Sequence, residues 1–169
     1  MEKKFHICRS ADIEFTQDEW NKYLNAVYAG ERERITTQYG QYIYNEHDIC
    51  LNPSTQKIVS KDGPFGYHVT IKWALGGKGI WAYGLDYNCG TGGGGFGVSW
   101  TDTTDESLWH HGYASEKDCK VACMQEALQR IGTSTYSNRT QISRLRLMIE
   151  DEIKKLTRPQ VVQLELFNF

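Results

Sequence analysis

Hydrophobic residues recur at helical spacing in three stretches of the chain. The first follows Thr16-Gln17-Asp18-Glu19, whose threonine and glutamate have the spacing of a capping box. The second predicts a helix from about Ser115 to Ile131, ended by Gly132, and the third predicts one from about Asn138 to Leu156. Pro159 then prevents the last helix from continuing.

Between these helices, residues 41–113 follow a different pattern, in which apolar residues alternate with polar ones. The longest such run predicts a strand with one apolar face, formed by Tyr67, Val69, Ile71, Trp73 and Leu75. A glycine-rich turn at 76–79 leads to a second strand, and Phe96, Val98 and Trp100 predict a third. Strands grouped together and then helices grouped together favour an α+β domain. We therefore predict an antiparallel sheet of four to six strands with an N-terminal helix, two C-terminal helices and a short tail.

Length and charge limit the domain count and the class of protein. The 169 residues suit one core, so we assign 1–156 to a single α+β domain and 157–169 to a C-terminal extension. With 19 Lys+Arg against 21 Asp+Glu, the net charge of -2 excludes a strongly basic nucleic-acid binder and an acidic duplex mimic. The chain has no apolar run of about 20 residues and no signal-peptide core, so we expect a cytoplasmic protein without a membrane partner.

The C-terminal extension allows two interpretations. Val162, Leu164 and Leu166 alternate with polar residues, so the segment could be a closing strand of the sheet. The preceding Pro159 and the adjacent pair Leu166-Phe167, which breaks the alternation, favour a protruding peptide.

Within this extension, Gln163-Leu164-Glu165-Leu166-Phe167 resembles the peptide by which bacterial polymerases, mismatch-repair proteins and clamp loaders dock on the DNA sliding clamp. The resemblance implies that Gln163 bonds through its amide at the mouth of a groove on the clamp. It also implies that Leu164 occupies a shallow depression, that Leu166 and Phe167 fill a deeper apolar pocket, and that Glu165 faces solvent or a basic rim. The motif covers five residues and implies nothing about the fold of the rest.

The segment Cys89-Gly90-Thr91-Gly92-Gly93-Gly94-Gly95-Phe96-Gly97 has the glycine spacing of nucleotide-binding loops. A dinucleotide site needs a helix directly after the glycines, whereas the residues that follow predict a strand. A flexible hairpin connection is therefore the favoured interpretation, although the glycines could also bring backbone close to a ligand or a DNA strand.

Aromatic and basic residues intermingle in the predicted sheet and helices, which raises the possibility of DNA binding. An exposed aromatic face could stack bases, and cations on the last helix could contact phosphates. The candidate residues are Lys72, Trp81, Tyr83, Arg139 and Arg144. The competing and favoured interpretation places the aromatic side chains in the core beneath the terminal helices.

The candidate metal ligands have no supporting pattern. Cys119 and Cys123 share one helix face, but their apolar neighbours predict buried thiols instead of ligands. His110 and His111 would point to opposite faces of a strand, so they would rarely bind one metal ion together. A metal-dependent hydrolytic site could draw on other residues nearby in sequence, but their spacing does not support one: His68, Asp86, Asp102, Asp105 and Glu106. We expect no metal, no cofactor and no catalytic residue.

The sequence therefore predicts a small bacterial or phage accessory protein that binds the replication sliding clamp, as an adaptor or an inhibitor, and favours this role over an enzyme. One alternative is a nucleic-acid-binding or processing protein that uses an aromatic sheet face. Another is an interaction protein that antagonises a host defence system.

Overall fold

In a computed structural model, the described part of the chain comprises residues 5–6, 14–29, 36–45, 47–99, 111–131 and 138–159. Two short strands, β1 (Phe5–His6) and β2 (Glu14–Phe15), pair antiparallel before helix α1 (Gln17–Ala29). The predicted capping box is confirmed, because the Thr16 amide donates to Glu19 Oε2 at 2.8 Å and the Glu19 amide donates to Thr16 Oγ1 at 3.4 Å. A hairpin of β3 (Thr37–Tyr39) and β4 (Tyr42–Tyr44) follows.

The main sheet has five antiparallel strands. Strands β5 (Ser54–Lys61), β6 (Tyr67–Leu75), β7 (Trp81–Cys89) and β8 (Gly93–Phe96) lie in chain order, and β9 (His111–Tyr113) also pairs with β7. A 3-10 turn at Gly77–Gly79 joins β6 to β7. Strand β6 occupies one edge of β7, so β8 and β9 share the other edge, β8 against residues 85–88 and β9 against residues 81–82.

Both C-terminal helices pack on one face of this sheet, and the predicted α+β class is confirmed. Helix α2 (Glu116–Ile131) lies over β6 and β7, and α3 (Arg139–Thr157) lies over β5 and β6. The Asn138 side chain caps α3 by accepting from the backbone amides of Thr140 and Gln141. The fully buried side chains of this core include Val69, Ile71, Leu85, Cys119, Met124, Ala127, Leu145 and Ile149.

A second, smaller core lies on the opposite face of the sheet. Ala74 and Ala82 point there because they alternate with helix-facing residues, and the side chains of Tyr42, Tyr44, Cys50 and Val98 cover them. The chain crosses this face beside Gly84, where a Cβ atom would lie 2.6 Å from the Val98 nitrogen. Gly84 thus permits a close backbone crossing.

The glycine-rich segment agrees with its prediction in part. Residues 90–92 form the predicted hairpin connection from β7 to β8, whereas Gly93, Gly94 and Gly95 belong to the edge strand β8. The strand predicted from Phe96, Val98 and Trp100 ends at Phe96, and Trp100 lies outside the described part of the chain. A Cβ on Gly93 would lie 2.5 Å from the Tyr87 carbonyl oxygen, so close approach to β7 requires glycine there.

Candidate functional site

The peptide predicted to bind the clamp, Gln163-Leu164-Glu165-Leu166-Phe167, lies outside the described residues. What the structure describes is the helix that precedes it. Helix α3 ends at Thr157, whose hydroxyl donates to the Ile153 carbonyl at 2.8 Å, and the Arg158 amide donates to the Lys154 carbonyl at 3.0 Å. Local contacts therefore engage two of the carbonyls in the last turn of the helix.

Of the two aromatic residues considered for base stacking, Tyr83 lies in the core beneath the helices, and Trp81 packs against both cores. Tyr83 is 5% exposed, and its hydroxyl donates to Glu126 Oε2 at 2.6 Å. Trp81 is half-buried and packs edge-on against Tyr42, with ring centroids 6.0 Å apart. Trp73, likewise considered for the core, is 8% exposed. The structure thus places these rings in packed layers, as the core interpretation predicts.

The basic candidates lie on different sides of the molecule. Lys72 alternates with the buried residues of β6, faces away from the helices and forms an ion pair with Asp86. Arg139 and Arg144 are exposed on α3, on the other side of the sheet. The five predicted nucleic-acid contacts therefore do not share one surface.

Near Lys72, the open face of the sheet carries His68 on β6 opposite Asn88 on β7. Burial lowers the pKa of His68, the nearby charge of Lys57 acts in the same direction, and Asp62 and Asp86 oppose it. The His68 Nδ1 and Asn88 Oδ1 atoms are buried and have no hydrogen-bond partner among the residues that the structure describes. This part of the face is polar, whereas the part around Ala74 and Ala82 is covered by the second core.

The candidate metal ligands do not form a site in the part of the chain that the structure describes. No group of three or more His, Cys, Asp or Glu side chains there is placed so that it could hold a metal ion. Cys119 and Cys123 are 0% and 1% exposed, which confirms that they are buried thiols. Burial raises the pKa of both, that of Cys123 to about 12. His110, Asp102, Asp105 and Glu106, and the side chain of His111, lie outside the described residues.

A polar cleft forms between α2 and the edge of β7 with which both β8 and β9 pair. The sequence did not predict it. Its volume is about 520 Å³. Tyr83 and Tyr113 contribute from the strands, and Glu126, Arg130 and two glutamines contribute from α2. It lies where β8 and β9 leave residues 83 and 84 of β7 between them.

A charged network forms the floor of this cleft. The Arg130 guanidinium donates to Glu126 Oε1 through Nε at 2.8 Å and Nη2 at 2.5 Å, while Tyr83 donates to the other carboxylate oxygen. The guanidinium also stacks over Phe96, 5.2 Å from the ring centre. The hydrogen bond to Glu126 is the main cause that raises the pKa of Arg130. The carboxylate is thus held between a cation and a phenol.

The two tyrosines of the cleft pack with ring centroids 5.8 Å apart. Burial, the hydrogen bond to Glu126 and the negative charge of that carboxylate raise the pKa of Tyr83. Burial also raises the pKa of Tyr113, while a hydrogen bond with Tyr83 acts in the opposite direction. Both phenols are consequently neutral hydrogen-bonding groups at neutral pH.

The only sequence signal for this cleft was the pair Glu126 and Arg130, spaced four residues apart beside the apolar stripe of α2. Such pairs are common on exposed helix surfaces, so the spacing alone could not identify a site. The pairing with Tyr83, 43 residues earlier, depends on the tertiary fold.

In the described residues, no helix has both the length and the apolar character needed to cross a membrane. Comparison with known proteins found no matching family model, curated protein or solved structure.

Proposed function

We propose that this protein binds the bacterial DNA sliding clamp through Gln163-Leu164-Glu165-Leu166-Phe167, and that it acts as an adaptor or inhibitor at the clamp. The observation that carries the proposal is the five-residue motif, placed shortly after a proline that ends the last helix. Leu166 and Phe167 fill the apolar pocket of the clamp, Leu164 occupies the adjoining depression, and the Gln163 amide bonds at its rim.

The attachment of the tail supports this proposal. Helix α3 is anchored by Leu145 and Ile149, which are fully buried, and it ends eight residues later at Thr157. The described part of the chain already has a packed core between its sheet and its helices. A peptide that follows such an anchored helix can be bound by a partner without dismantling that core.

The direction of α3 also bears on the alternative in which the tail is a closing strand. Within the described residues, β5 pairs only with β6, so its other edge is where such a strand would add. Ser60 bonds to the Gln141 carbonyl at 3.2 Å, and Gln56 bonds to Glu152 at 3.0 Å, so α3 runs antiparallel to β5. A strand returning directly from α3 along β5 would therefore run parallel to it, and parallel pairing is the less stable kind.

The expected affinity is modest. Burial of Leu164, Leu166 and Phe167 contributes roughly 1.5–3 kcal/mol for each side chain. Association and ordering of the tail cost about 4–15 kcal/mol and offset most of this gain, so we expect an affinity no tighter than about micromolar. A ring-shaped clamp presents several copies of its groove, which raises the effective strength of a weak tether.

The test is surface plasmon resonance of the full chain over an immobilised bacterial sliding clamp. Changing both Leu166 and Phe167 to alanine removes roughly 3–6 kcal/mol of apolar contact, so we expect at least a hundredfold loss of affinity. The matched control changes Val161 and Val162 to alanine in the same tail but outside the motif, and we expect its affinity to stay within about threefold of wild type.

Circular dichroism melts of the same variants separate docking from folding. We expect both double variants to have the same melting temperature as the wild type. Failure of the wild type to bind at tens of micromolar, or equal losses in both variants, would refute clamp binding. A large drop in melting temperature with Leu166→Ala and Phe167→Ala would instead identify the tail as a closing strand.

A further inference from the structure

The cleft between α2 and the split edge of the sheet has properties of a ligand site that are independent of the tail. Its volume of about 520 Å³ falls within the usual range of small-molecule sites, roughly 300–1,000 Å³. One wall consists of the Tyr83 and Tyr113 rings from two strands, and the other is the surface of α2. Sites of this kind combine aromatic walls with a few convergent polar groups.

The charges in the cleft compensate one another, which limits the class of ligand. Glu126 accepts from Arg130 and from Tyr83, so its negative charge is matched within the floor. Arg130 donates to that carboxylate through two nitrogen atoms, and its positive charge is matched in the same way. The floor therefore favours neither a free cation nor a free anion, and a neutral ligand fits it best.

The rim adds hydrogen-bonding groups. Gln125 and Gln129 line the cleft one helical turn apart, and both side chains are exposed. Each carboxamide offers a donor and an acceptor, a combination that pairs with the edge of a heterocyclic base. Aromatic rings such as Tyr113 provide faces on which bases stack.

From these observations we propose that the cleft binds one nucleobase, as a nucleoside or as an unstacked base of a single strand. The ring lies against the tyrosine wall, and the Gln125 and Gln129 amides bond to its edge. The part-buried network of Tyr83, Glu126 and Arg130 fixes the shape of the floor and does not take the ligand's charge. This site goes beyond clamp binding and does not depend on it.

The test is isothermal titration calorimetry of the full chain with adenosine, guanosine, cytidine and uridine. We expect saturable binding of at least one nucleoside with one site for each chain. Changing Gln125 and Gln129 together to alanine is expected to weaken it about tenfold or more, because two hydrogen bonds are lost. Lys117→Ala, an exposed change elsewhere on α2, is the matched control and is expected to leave the affinity unchanged.

Truncation after Pro159 separates this proposal from the previous one. We expect the truncated chain to lose clamp binding and to keep nucleoside binding. The absence of saturable binding of all four nucleosides at millimolar concentration would overturn the inference, as would binding that the glutamine variant leaves unchanged. Because both glutamines are exposed, a melting curve that matches wild type shows that the variant is folded, and its affinity can then be interpreted.

Discussion

Gly95→Ala tests whether the glycine-rich segment is a closely paired strand. A Cβ at position 95 would lie 2.7 Å from the Leu85 carbonyl oxygen and still closer to Asp86 Oδ1. The Asp86 carboxylate can rotate away, but the carbonyl belongs to the backbone of a central strand. Strand β8 must therefore move away from β7, which weakens the pairing at that edge. Gly92 is the matched control, since a Cβ there would meet no atom of the described residues within 4 Å.

Forcing a methyl group against that backbone carbonyl costs about 1–3 kcal/mol, the usual scale of overpacking. For a chain of this length, 1 kcal/mol corresponds to about 2–4 °C in melting temperature, so we expect Gly95→Ala to melt roughly 2–12 °C below wild type. Gly92→Ala is expected to be neutral, or to stabilise by up to about 1 kcal/mol because the unfolded chain loses freedom. Urea denaturation followed by circular dichroism measures both changes. Equal stability of the two variants would refute the close approach of β8 to β7 and restore the flexible-loop interpretation.

Two further predictions concern buried polar groups. Tyr83→Phe removes the hydrogen bond to Glu126. Because that carboxylate is charged, we expect the free energy of unfolding, measured in urea, to fall by about 1.5–3 kcal/mol. An unchanged midpoint of urea unfolding would contradict this network. Cys119 and Cys123 are expected to resist a thiol reagent at pH 8 until the chain is unfolded. Labelling with and without denaturant measures this, and rapid labelling of either thiol in the folded protein would contradict the packing. Since burial raises the pKa of Cys123 from 9.0 to about 12, its neutral thiol stabilises the fold fully below pH 9, and this contribution is lost as the pH rises through about 12.

The sequence could predict the helices because their signals are local. Thr16 and Glu19 cap α1 through contacts only three residues apart, and Asn138 marks the start of α3 in the same way. The alternation along β6 and β7 was equally informative, because period two identifies a face without knowledge of the partner strand. For these elements the predicted and observed bounds differ by only a few residues.

The glycine strand and the cleft could not be predicted in this way. A run of glycines has no apolar alternation, so nothing local distinguishes a turn from the strand that pairs with β7. The cleft draws Tyr83, Tyr113 and Glu126 from three segments, and their proximity follows from β8 and β9 sharing one edge of β7. Strand order is a long-range property, and a pattern read along one chain does not contain it.

The helix that leads to the tail and the cleft lie toward opposite edges of the same sheet, and this separation has a functional consequence. Helix α3, which leads to the tail, contacts Gln56 on β5 through Glu152, whereas the cleft lies beyond β7. The β5 and β7 strands are separated by β6, a distance of about 10 Å at the usual strand spacing. If the clamp holds the chain by the proposed tail peptide alone, we expect the cleft to stay accessible, so that clamp docking and base binding occur together on one chain. If they do, the tail would bring the cleft to DNA that passes through the clamp, and the two weak contacts would reinforce each other as a bivalent attachment.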